Sequence, residues 1–532
     1  GSYEDRTIGT NVHEQIGDWK VYADAYFKKN DKHLEMPTGF SDNGTQTDEA
    51  MQDSTFGLKV TNGAFELLTR YKESTYGNFY GYEEDFDPIG NQEDDHTNKY
   101  FSTQLSYKIP FKGFELETKA NYSNRKFDAG ANISSIYNVA RRFTPIGIDM
   151  QEGFWYSEKS EEQNLEFETI LSLEKIASND ISLGFGARRA EMIHDEFYSS
   201  IENVMMQKIQ TIPDNFRWGK IREPAYWSNP TTSLYPKSLK RDILYGYVQD
   251  LISLNDSVDI ALGLRVDDYS DLETQLSSRA AVVYRTDYKT VFKVLYGSAF
   301  RAPTFTENYH NGHINFRAGD KNIKPEETDT YEFQAIYSPD FRNKLSLNAF
   351  YSVINNIIDL EEEGDTIPGY MNYDSRISRG VEFEYSLRTN LEHSFYFNSS
   401  YIDTSYTLPK DGDTLEKNMS MPDISKVLLK SMYIYTPLPQ LSFGTTWCYE
   451  SATSPNGLYT DPNTWPRNDG VVDAQHIFDE TITYRFSSSS RIRGTVKNLF
   501  DTEIKNPSYY YGHEGGVLRE GRNFFVSYIH NF

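Results

Sequence analysis

The sequence lacks the features that mark helical membrane proteins and multidomain soluble proteins. No stretch approaches ~18 consecutive apolar residues, which excludes a helical membrane span. A soluble chain of 532 residues would divide into several domains, yet no Pro-rich, Ser-rich or repetitive tract marks a linker. The single cysteine, Cys448, is typical of an oxidising compartment that avoids stray thiols. With 53 Lys and Arg against 78 Asp and Glu, the net charge of −25 argues against nucleic acid as a partner. We therefore treat residues 1–532 as one domain.

Aromatic residues, in contrast, are abundant and dispersed. The chain has 40 Tyr and 33 Phe, and they stand among polar residues instead of gathering in apolar runs. Residues 114–122, 165–174 and 381–388 each alternate between an apolar set and a polar, often acidic set. A period of two is typical of a β-strand with one apolar and one polar face. Such strands fit a soluble β-sandwich or a membrane β-barrel, whose hydropathy also averages out along each strand.

Loop lengths distinguish these two folds. Tight turns are predicted near residues 16–18, 62–63, 110–113, 177–180, 254–256, 286–288, 339–342, 389–391, 437–440 and 487–490. Long segments alternate with them, at residues 28–54, 72–99, 124–160, 190–241, 266–278, 301–328, 356–376, 404–424, 450–474 and 501–521. Short turns at one end and long loops at the other are the layout of an outer-membrane barrel, and a sandwich has no reason for it. The sequence therefore predicts an all-β fold, a transmembrane antiparallel β-barrel of about 21 strands.

The alternation also predicts which side chains face lipid. Apolar side chains should face outward and their charged neighbours should face the lumen. The apolar set includes Phe114, Leu171, Phe383 and Phe532, and the charged set includes Glu115 and Glu384. The final strand alternates up to a terminal aromatic residue. An ordinary edge strand would have the same pattern, but this one also resembles the C-terminal signal read by the outer-membrane barrel-assembly machinery.

Two pairs of short motifs carry a resemblance to a known family. One pair is Val496-Lys497-Asn498-Leu499-Phe500-Asp501 followed by Gly521-Arg522-Asn523-Phe524-Phe525, with a terminal Phe532. The other pair is Phe300-Arg301-Ala302-Pro303 followed by Asn322-Ile323-Lys324-Pro325-Glu326, around one predicted extracellular loop. Their order and spacing resemble those of TonB-dependent outer-membrane receptors. With the alternation of loops, the resemblance covers essentially the whole chain.

The resemblance implies a barrel of about 22 strands around an N-terminal plug domain, in the bacterial outer membrane. Nothing in this sequence corresponds to a plug, and the strand count is one short. Because tight turns are periplasmic, the strand from Thr7 to Gln15 descends toward Asp18, as the second strand of such a barrel would. We therefore expect the plug and the first strand to come from a separate segment. The implied partners are outer-membrane lipid, that plug and, through the plug, the TonB complex.

The implied function is reception and TonB-energised uptake of a scarce nutrient. A ferric siderophore or related metal chelate is expected ahead of haem or cobalamin. A plug-free diffusion porin is the alternative, although porins usually have fewer strands and lack the motifs above. An enzyme is not expected, because the sequence contains no phosphate-cradling glycine loop, paired-histidine zinc helix or nucleophile elbow.

Candidate ligand-binding residues lie in the long loops. Aromatic side chains there could stack on a planar or aromatic ligand, although an aromatic girdle at the lipid interface or loop packing would use the same residues. The aromatic candidates are Trp155, Tyr156, Trp218, Tyr226, Trp227, Tyr509, Tyr510 and Tyr511. His310 and His313 lie between the two mid-chain motifs, where a histidine of haem-importing members of the family serves as axial ligand; solvated loop histidines are the alternative.

An acidic segment completes the set of candidates. Its carboxylates could bind Ca²⁺ and order the loop, although their spacing matches no defined calcium loop and a solvated charge run is the alternative. The residues are Glu83, Glu84, Asp85, Asp87, Glu93, Asp94 and Asp95. An acidic mouth would disfavour strongly anionic ligands unless cations such as Arg317 and Lys321 offset it.

Overall fold

A computed structural model of the chain shows an almost entirely β-stranded protein. It describes residues 5–31, 50–77, 96–133, 154–174, 176–199, 235–313, 316–360, 369–389, 392–410, 414–420, 424–453, 472–506 and 517–531. Within these ranges, no helix has the length and apolar character needed to cross a membrane.

The elements follow one another along the chain as a long meander. The first twelve strands are β1 (Arg6–Ile16), β2 (Trp19–Asn30), β3 (Met51–Asn62), β4 (Phe65–Tyr76), β5 (His96–Phe111), β6 (Phe114–Ile133), β7 (Phe154–Leu173), β8 (Asn179–Ser199), β9 (Lys240–Asn255), β10 (Val258–Tyr269), β11 (Gln275–Arg285) and β12 (Thr290–Arg301). A short helix α1 (Phe305–Tyr309) and two short strands, β13 (Asn311–His313) and β14 (Phe316–Ala318), follow. The remaining strands are β15 (Glu326–Asp340), β16 (Asn343–Leu360), β17 (Tyr370–Arg388), β18 (His393–Lys410), β19 (Thr414–Ser420), β20 (Val427–Leu438), β21 (Leu441–Glu450), β22 (Gln475–Arg485), β23 (Ser490–Lys497), β24 (Lys505–Asn506), β25 (Val517–Leu518) and β26 (Asn523–His530).

One antiparallel sheet contains 22 of these strands. The pairs β13–β14 and β24–β25 form small separate ladders. Two strands share one position in the large sheet, because β19 pairs with the upper part of β18 and β20 pairs with its lower part. The described residues therefore form 21 positions across the sheet, and the all-β fold class predicted from sequence is confirmed. Among these residues no ladder joins β1 to β26, so the sheet is open between them.

The two faces of the sheet differ as the alternation predicts. On one face, large apolar side chains such as Phe167 remain 53 % exposed, which is the state expected of residues that meet lipid. The predicted lipid-facing Leu171 is on this face, because it lies four residues from Phe167 in the same regular ladder. The opposite face carries charges, including a Lys119–Glu168 ion pair of 3.6 Å between β6 and β7. Glu115 is on this charged face, and its predicted orientation is confirmed for the barrel wall.

Two tyrosine rings on the lumen face fill the space above two glycines of the neighbouring strand. The rings of Tyr245 and Tyr247 in β9 lie where a Cβ on Gly186 or Gly184 of β8 would stand. The Tyr245 hydroxyl therefore reaches across β8 and donates a hydrogen bond of 2.8 Å to Oε1 of Glu166. The pairing of tyrosine with glycine links three neighbouring strands on the inner wall.

The strands extend farther beyond the membrane than the sequence predicts. The predicted loop 124–160 is wrong at both edges, because β6 continues to Ile133 and β7 begins at Phe154. The loop at 190–241 likewise begins later than predicted, since β8 continues to Ser199. Both faces are polar above the bilayer, so the alternation that reveals a membrane strand fades there although the backbone ladder continues. The predicted tight turns, in contrast, each fall between consecutive strands.

Candidate functional site

The connection from β12 to β15, residues 302–325, contains the most buried part of the described structure. Pro303 and Asn308 are its largest fully buried side chains. The chain leaves β12 and enters α1 through a capping box. The Glu307 backbone N–H donates to Oγ1 of Thr304 (3.2 Å), and the Thr304 N–H donates to Oε2 of Glu307 (2.7 Å). The sequence Thr-Phe-Thr-Glu thus fixes a helix of five residues immediately after the barrel wall.

The two mid-chain motifs of the sequence meet through Arg301. Its Nε donates to Oε2 of Glu326 at 2.7 Å, and its Nη1 donates to both carboxylate oxygens of Glu307 at 2.9 Å. Oε1 of Glu326 accepts a further hydrogen bond from the Ile358 backbone N–H. One arginine of the first motif therefore ties the end of β12 to α1 and to the start of β15.

A buried arginine from β9 holds the same connection from the other side. Arg241 Nη1 donates to the Pro303 carbonyl at 2.6 Å, and Nη2 donates to Oδ1 of Asn308 at 3.2 Å. Its Nε donates to Asp271, with 2.8 Å to Oδ1. The guanidinium also lies 5.3 Å from the centre of the Phe305 ring. We call Arg241, Asp271, Pro303 and Asn308 the Arg241 cluster.

The return segment packs directly on α1. Nδ2 of Asn308 donates to the Asp320 carbonyl at 3.1 Å, and the Gly319 N–H donates to the His310 carbonyl at 2.8 Å. A Cβ on Gly319 would lie 2.6 Å from the Tyr309 backbone nitrogen, so only glycine permits this approach. The described residues of the connection are therefore linked to one another by hydrogen bonds on both sides of α1.

Tyr309 links the helix to the Arg241 cluster. Its hydroxyl donates to Oδ2 of Asp271 at 3.0 Å. Burial, together with the hydrogen bond to that carboxylate, raises the pKa of Tyr309 to about 12. The neutral phenol is thus the stable form at this position, where it acts as a hydrogen-bond donor.

His310 lies within the packed connection and is not solvated. Its ring is buried and makes an edge-to-face contact with Tyr235, with 5.4 Å between the ring centres. The Tyr235 hydroxyl lies 2.9 Å from Oγ1 of Thr306. For His313 and Arg317 the structure describes the backbone alone, in β13 and β14. The haem-ligand role of the two histidines stays a prediction.

The second pair of motifs meets in the connection from β23 to β26, residues 498–522. Asn498 is buried with a left-handed φ of 49°. Its Nδ2 donates to the Thr502 carbonyl (2.8 Å), and its Oδ1 accepts from the Thr502 N–H (2.9 Å). Asp501 accepts from the Arg522 backbone N–H at 2.8 Å and from Nη2 of Arg522 at 3.3 Å. These backbone and side-chain hydrogen bonds lower the pKa of Asp501.

Several candidate residues lie outside the described residues. They are Glu83, Glu84, Asp85, Asp87, Glu93, Asp94, Asp95, Trp218, Tyr226, Trp227, Tyr509, Tyr510, Tyr511 and Phe532. Trp155 and Tyr156 lie at the upper end of β7, opposite Asn132 and Ala131 of β6. The calcium and aromatic-stacking hypotheses remain predictions. Among the residues that the structure describes, no group of three or more His, Cys, Asp and Glu is placed to hold a metal ion.

Sequence reasoning identified the motifs but missed the Arg241 cluster. Arg241, Asp271 and Asn308 each fall within or at the edge of a different long segment, and no spacing connects them. Only the fold brings the ends of these segments together. What the site supplies chemically is rigidity and hydrogen-bonding groups at the long-loop end of the barrel.

An apolar outer face, a charged inner face, short turns and long loops together define an outer-membrane β-barrel. Residues 17–499 match the family described as TonB dependent receptor-like, beta-barrel. The chain belongs to this family and is a protein of the bacterial outer membrane.

Individual relatives include receptors for different nutrients. A vitamin B12 transporter of Vibrio cholerae is 26 % identical over 46 % of this chain and 37 % of its own length. The ferric enterobactin receptor PirA of Pseudomonas aeruginosa is 24 % identical over 60 % of this chain and 45 % of its own length. The siderophore receptor PirA of Acinetobacter baumannii has a similar structure, with a TM-score of 0.72 at 16 % identity over 100 % of this chain and 78 % of that one. The chain thus spans less than half the length of these two curated relatives.

Proposed function

We propose that this chain is the barrel of a receptor for TonB-energised uptake of a metal chelate, with a ferric siderophore as the first candidate. The observation that carries the proposal is the pair of cross-linked connections at the long-loop end. Arg301 and Arg241 hold one of them, and Asn498 and Asp501 hold the other. Loop ends that such contacts hold in place suit a receptor, because a preorganised surface loses less entropy on binding. The proposal includes no catalytic residue.

The polar inner wall favours the presence of a partner domain within the lumen. A barrel of this strand number is wide enough to need a plug. The wall of this lumen carries charged and polar groups on β6, β7 and β9, including the Lys119–Glu168 pair. A cavity of about 440 Å³ on the same wall is lined by Asn348, Glu382, Glu384, Asn398 and Lys430. Such a surface fits a polar globular domain better than a bare apolar channel, and that domain would receive the pull of the TonB complex.

The open edge of the sheet favours the presence of a further strand, contributed from outside the described residues. Unpaired N–H and C=O groups in lipid cost several kcal/mol each, and no described strand lies between β1 and β26. We propose that the segment that brings the plug also supplies the strand that closes the barrel.

A corrinoid is the second candidate ligand, because a vitamin B12 transporter is among the relatives. Siderophore receptors stand ahead of it since they appear both among the sequence relatives and among the similar structures. Haem ranks behind both candidates, and its binding would need His310 or His313. The family match gives no support to a plug-free porin.

Uptake assays in cells that carry the full-length receptor test the proposal. Radiolabelled ferric enterobactin and radiolabelled cobalamin are the two probes, each with and without a protonophore. We expect accumulation of a ferric chelate that stops when the proton gradient collapses. Accumulation of cobalamin alone would move the function to the second candidate. Entry of both probes without an energy requirement would identify a porin and overturn the proposal.

The Arg241 cluster provides a matched pair of variants for the same assay. Arg241→Leu removes the cross-link beneath the β12–β15 connection, and Lys237→Gln removes an exposed cation close by in sequence. We expect the first variant to reduce accumulation of the ferric chelate and the second to leave it unchanged.

A further inference from the structure

Three tyrosines form a cross-strand row on the outer face of the barrel near its long-loop end. Tyr296 of β12 pairs with Tyr331 of β15, Tyr331 pairs with Tyr351 of β16, and Tyr351 pairs with Arg379 of β17. Residues paired across antiparallel strands lie on the same face. The neighbouring row toward the short turns contains Val294, Phe333, Ala349, Val381 and Tyr401. The arginine therefore stands on the lipid-facing side, next to an apolar and aromatic row.

Arg379 belongs to a small charged cluster on this face. Its Nη2 donates to Oδ2 of Asp403 at 3.0 Å, and Nζ of Lys426 donates to Oδ1 of the same carboxylate at 3.0 Å. The Arg379 side chain is 66 % exposed and that of Lys426 is 46 % exposed, whereas Asp403 is 21 % exposed. Two exposed cations thus share one carboxylate, which leaves a net positive charge.

The position of the cluster fits the outer membrane interface. Arg379 lies nine residues above the short-turn end of β17 at Arg388, which at ~3.3 Å per residue and a strand tilt of ~45° is about 20 Å. The apolar band of such barrels is about 25 Å tall and is bordered by aromatic girdles, so Arg379 lies in the upper part of the band, close to its outer border. A cation there costs little to keep on the lipid side, whereas at the midplane it would cost about 2–4 kcal/mol.

A second arginine at similar height shows a different charge balance. Arg189 of β8 lies on the lipid-facing side and makes two hydrogen bonds to Asp242 of β9, at 2.6 and 3.0 Å. The adjacent residue pair on these strands is Glu191 with Lys240. Two cations and two carboxylates stand together here, so the formal charges of the site cancel. This contrast gives an internal control.

We propose that Arg379 and Lys426 form a binding site for the phosphate group of a lipid in the outer leaflet. Guanidinium and ammonium groups are the usual protein donors to phosphate oxygens. Asp403 holds the two cations in position while neutralising only one of them. Tyr351 and Tyr401 flank the site on the same face, where their rings contact the adjoining acyl chains.

Lipid binding by the detergent-purified protein tests this inference through native mass spectrometry. The probe is dioleoyl phosphatidic acid, with dioleoylglycerol as the phosphate-free control. We expect the double variant Arg379→Gln with Lys426→Gln to bind phosphatidic acid about tenfold more weakly, as the loss of two exposed charge contacts implies. Asp403→Asn should strengthen binding, because it removes the competing carboxylate but keeps the side chain's shape. If the cluster had only a structural role, Asp403→Asn should instead weaken the binding of phosphatidic acid.

The remaining arms decide between specific and general effects. Arg189→Gln, at the neutral site, should leave phosphatidic acid binding unchanged. An equal loss in that variant, or no loss in the double variant, would overturn the proposal. Displacement of the lipid by an equal concentration of inorganic phosphate would show a site for free anions and would overturn the assignment to lipid. Heat-dependent gel mobility reports whether each barrel is folded, and if the double variant fails to fold, Lys426→Gln and Asp403→Asn decide the outcome.

Discussion

The described parts of the two motif-bearing connections are held by different kinds of contact. In the β12–β15 connection the central cation, Arg241, has a side chain only 9 % exposed, and its partner Asp271 is 14 % exposed. In the β23–β26 connection the ion pair of Arg522 and Asp501 is exposed, at 42 and 51 %. There the buried element is the neutral Asn498. Burial therefore decides which contacts hold each connection, and the motif residues alone do not show it.

Loss of the buried cation should have the largest effect. Arg241→Leu leaves Asp271 without its guanidinium partner and leaves the Pro303 carbonyl and the Asn308 side chain without a donor. Breaking a buried ion pair by removing one partner costs about 3–5 kcal/mol. We expect hydrogen exchange of the α1 amides to accelerate accordingly. Arg189→Leu, which breaks an exposed pair, should leave these amides unchanged, and equal acceleration in both variants would contradict the comparison.

Asn498 should be the most sensitive residue of the second connection. Asn498→Ala removes both hydrogen bonds to Thr502 and places a Cβ-bearing residue without a polar side chain at φ 49°. The expected cost is about 1–3 kcal/mol. Asn498→Gly relieves the backbone strain but not the lost hydrogen bonds, so it should cost less than alanine. Thermal unfolding of the two variants in detergent measures the difference, and a glycine variant less stable than the alanine variant would be inconsistent with this interpretation.

The half-exposed pair of Arg301 and Glu326 should have an intermediate effect. A double-mutant cycle with Arg301→Gln and Glu326→Gln isolates the contact between them. Because the Arg301 side chain is 42 % exposed, solvent screening should limit the coupling to about 1 kcal/mol. A coupling close to zero would mean that the two mid-chain motifs meet without stabilising each other.

Alkali should loosen the β12–β15 connection. The pKa of Tyr309 is raised to about 12 from its ordinary value of 10.0 by burial and by Asp271. The stabilisation is therefore complete below pH 10 and is lost as the pH rises toward 12, where the phenol ionises beside the carboxylate. Protease cleavage near α1 should increase over this range. Tyr309→Phe should lack the transition, and an unchanged profile in this variant would assign it to another group.

Acid should have the smallest effect, on the β23–β26 connection. The Arg522 backbone N–H and guanidinium lower the pKa of Asp501 below its ordinary 3.8. The stabilisation is present above that value and is lost as the pH falls through the lowered pKa. Asp501→Asn should remove this pH dependence while leaving neutral-pH stability nearly unchanged, because the pair is exposed. Nuclear magnetic resonance of the Arg522 amide would detect the titration, and its absence in the unmodified protein would contradict the contact.

The sequence predicted the strands and short turns that repeat along the chain. It did not predict the contacts that join distant segments in the fold. Alternation and turn residues located the strands of the wall, since each strand shows its own period of two and each short turn its own residue types. The two motifs that contain Arg301 and Glu326 were visible as well. The contact between Arg241 and Pro303 spans 62 residues and joins positions in separate segments. No local pattern encodes such a contact, and the upper ends of β6 and β7 lost their signal where both faces become polar.

We propose that one further strand closes this barrel between β1 and β26. Cysteine pairs on the outer faces of the two edge strands test it directly, with Ile8, Val12 or Ile16 replaced on β1 and Phe524, Val526 or Tyr528 on β26, in a Cys448→Ser background of the full-length protein. With one intervening strand the edge strands lie about 10 Å apart, twice the usual spacing of about 5 Å. We predict cross-linking by a bis-maleimide of that length and no direct disulfide at any pair. A disulfide that forms efficiently across the two strands would show that β1 and β26 are direct neighbours and would contradict the account.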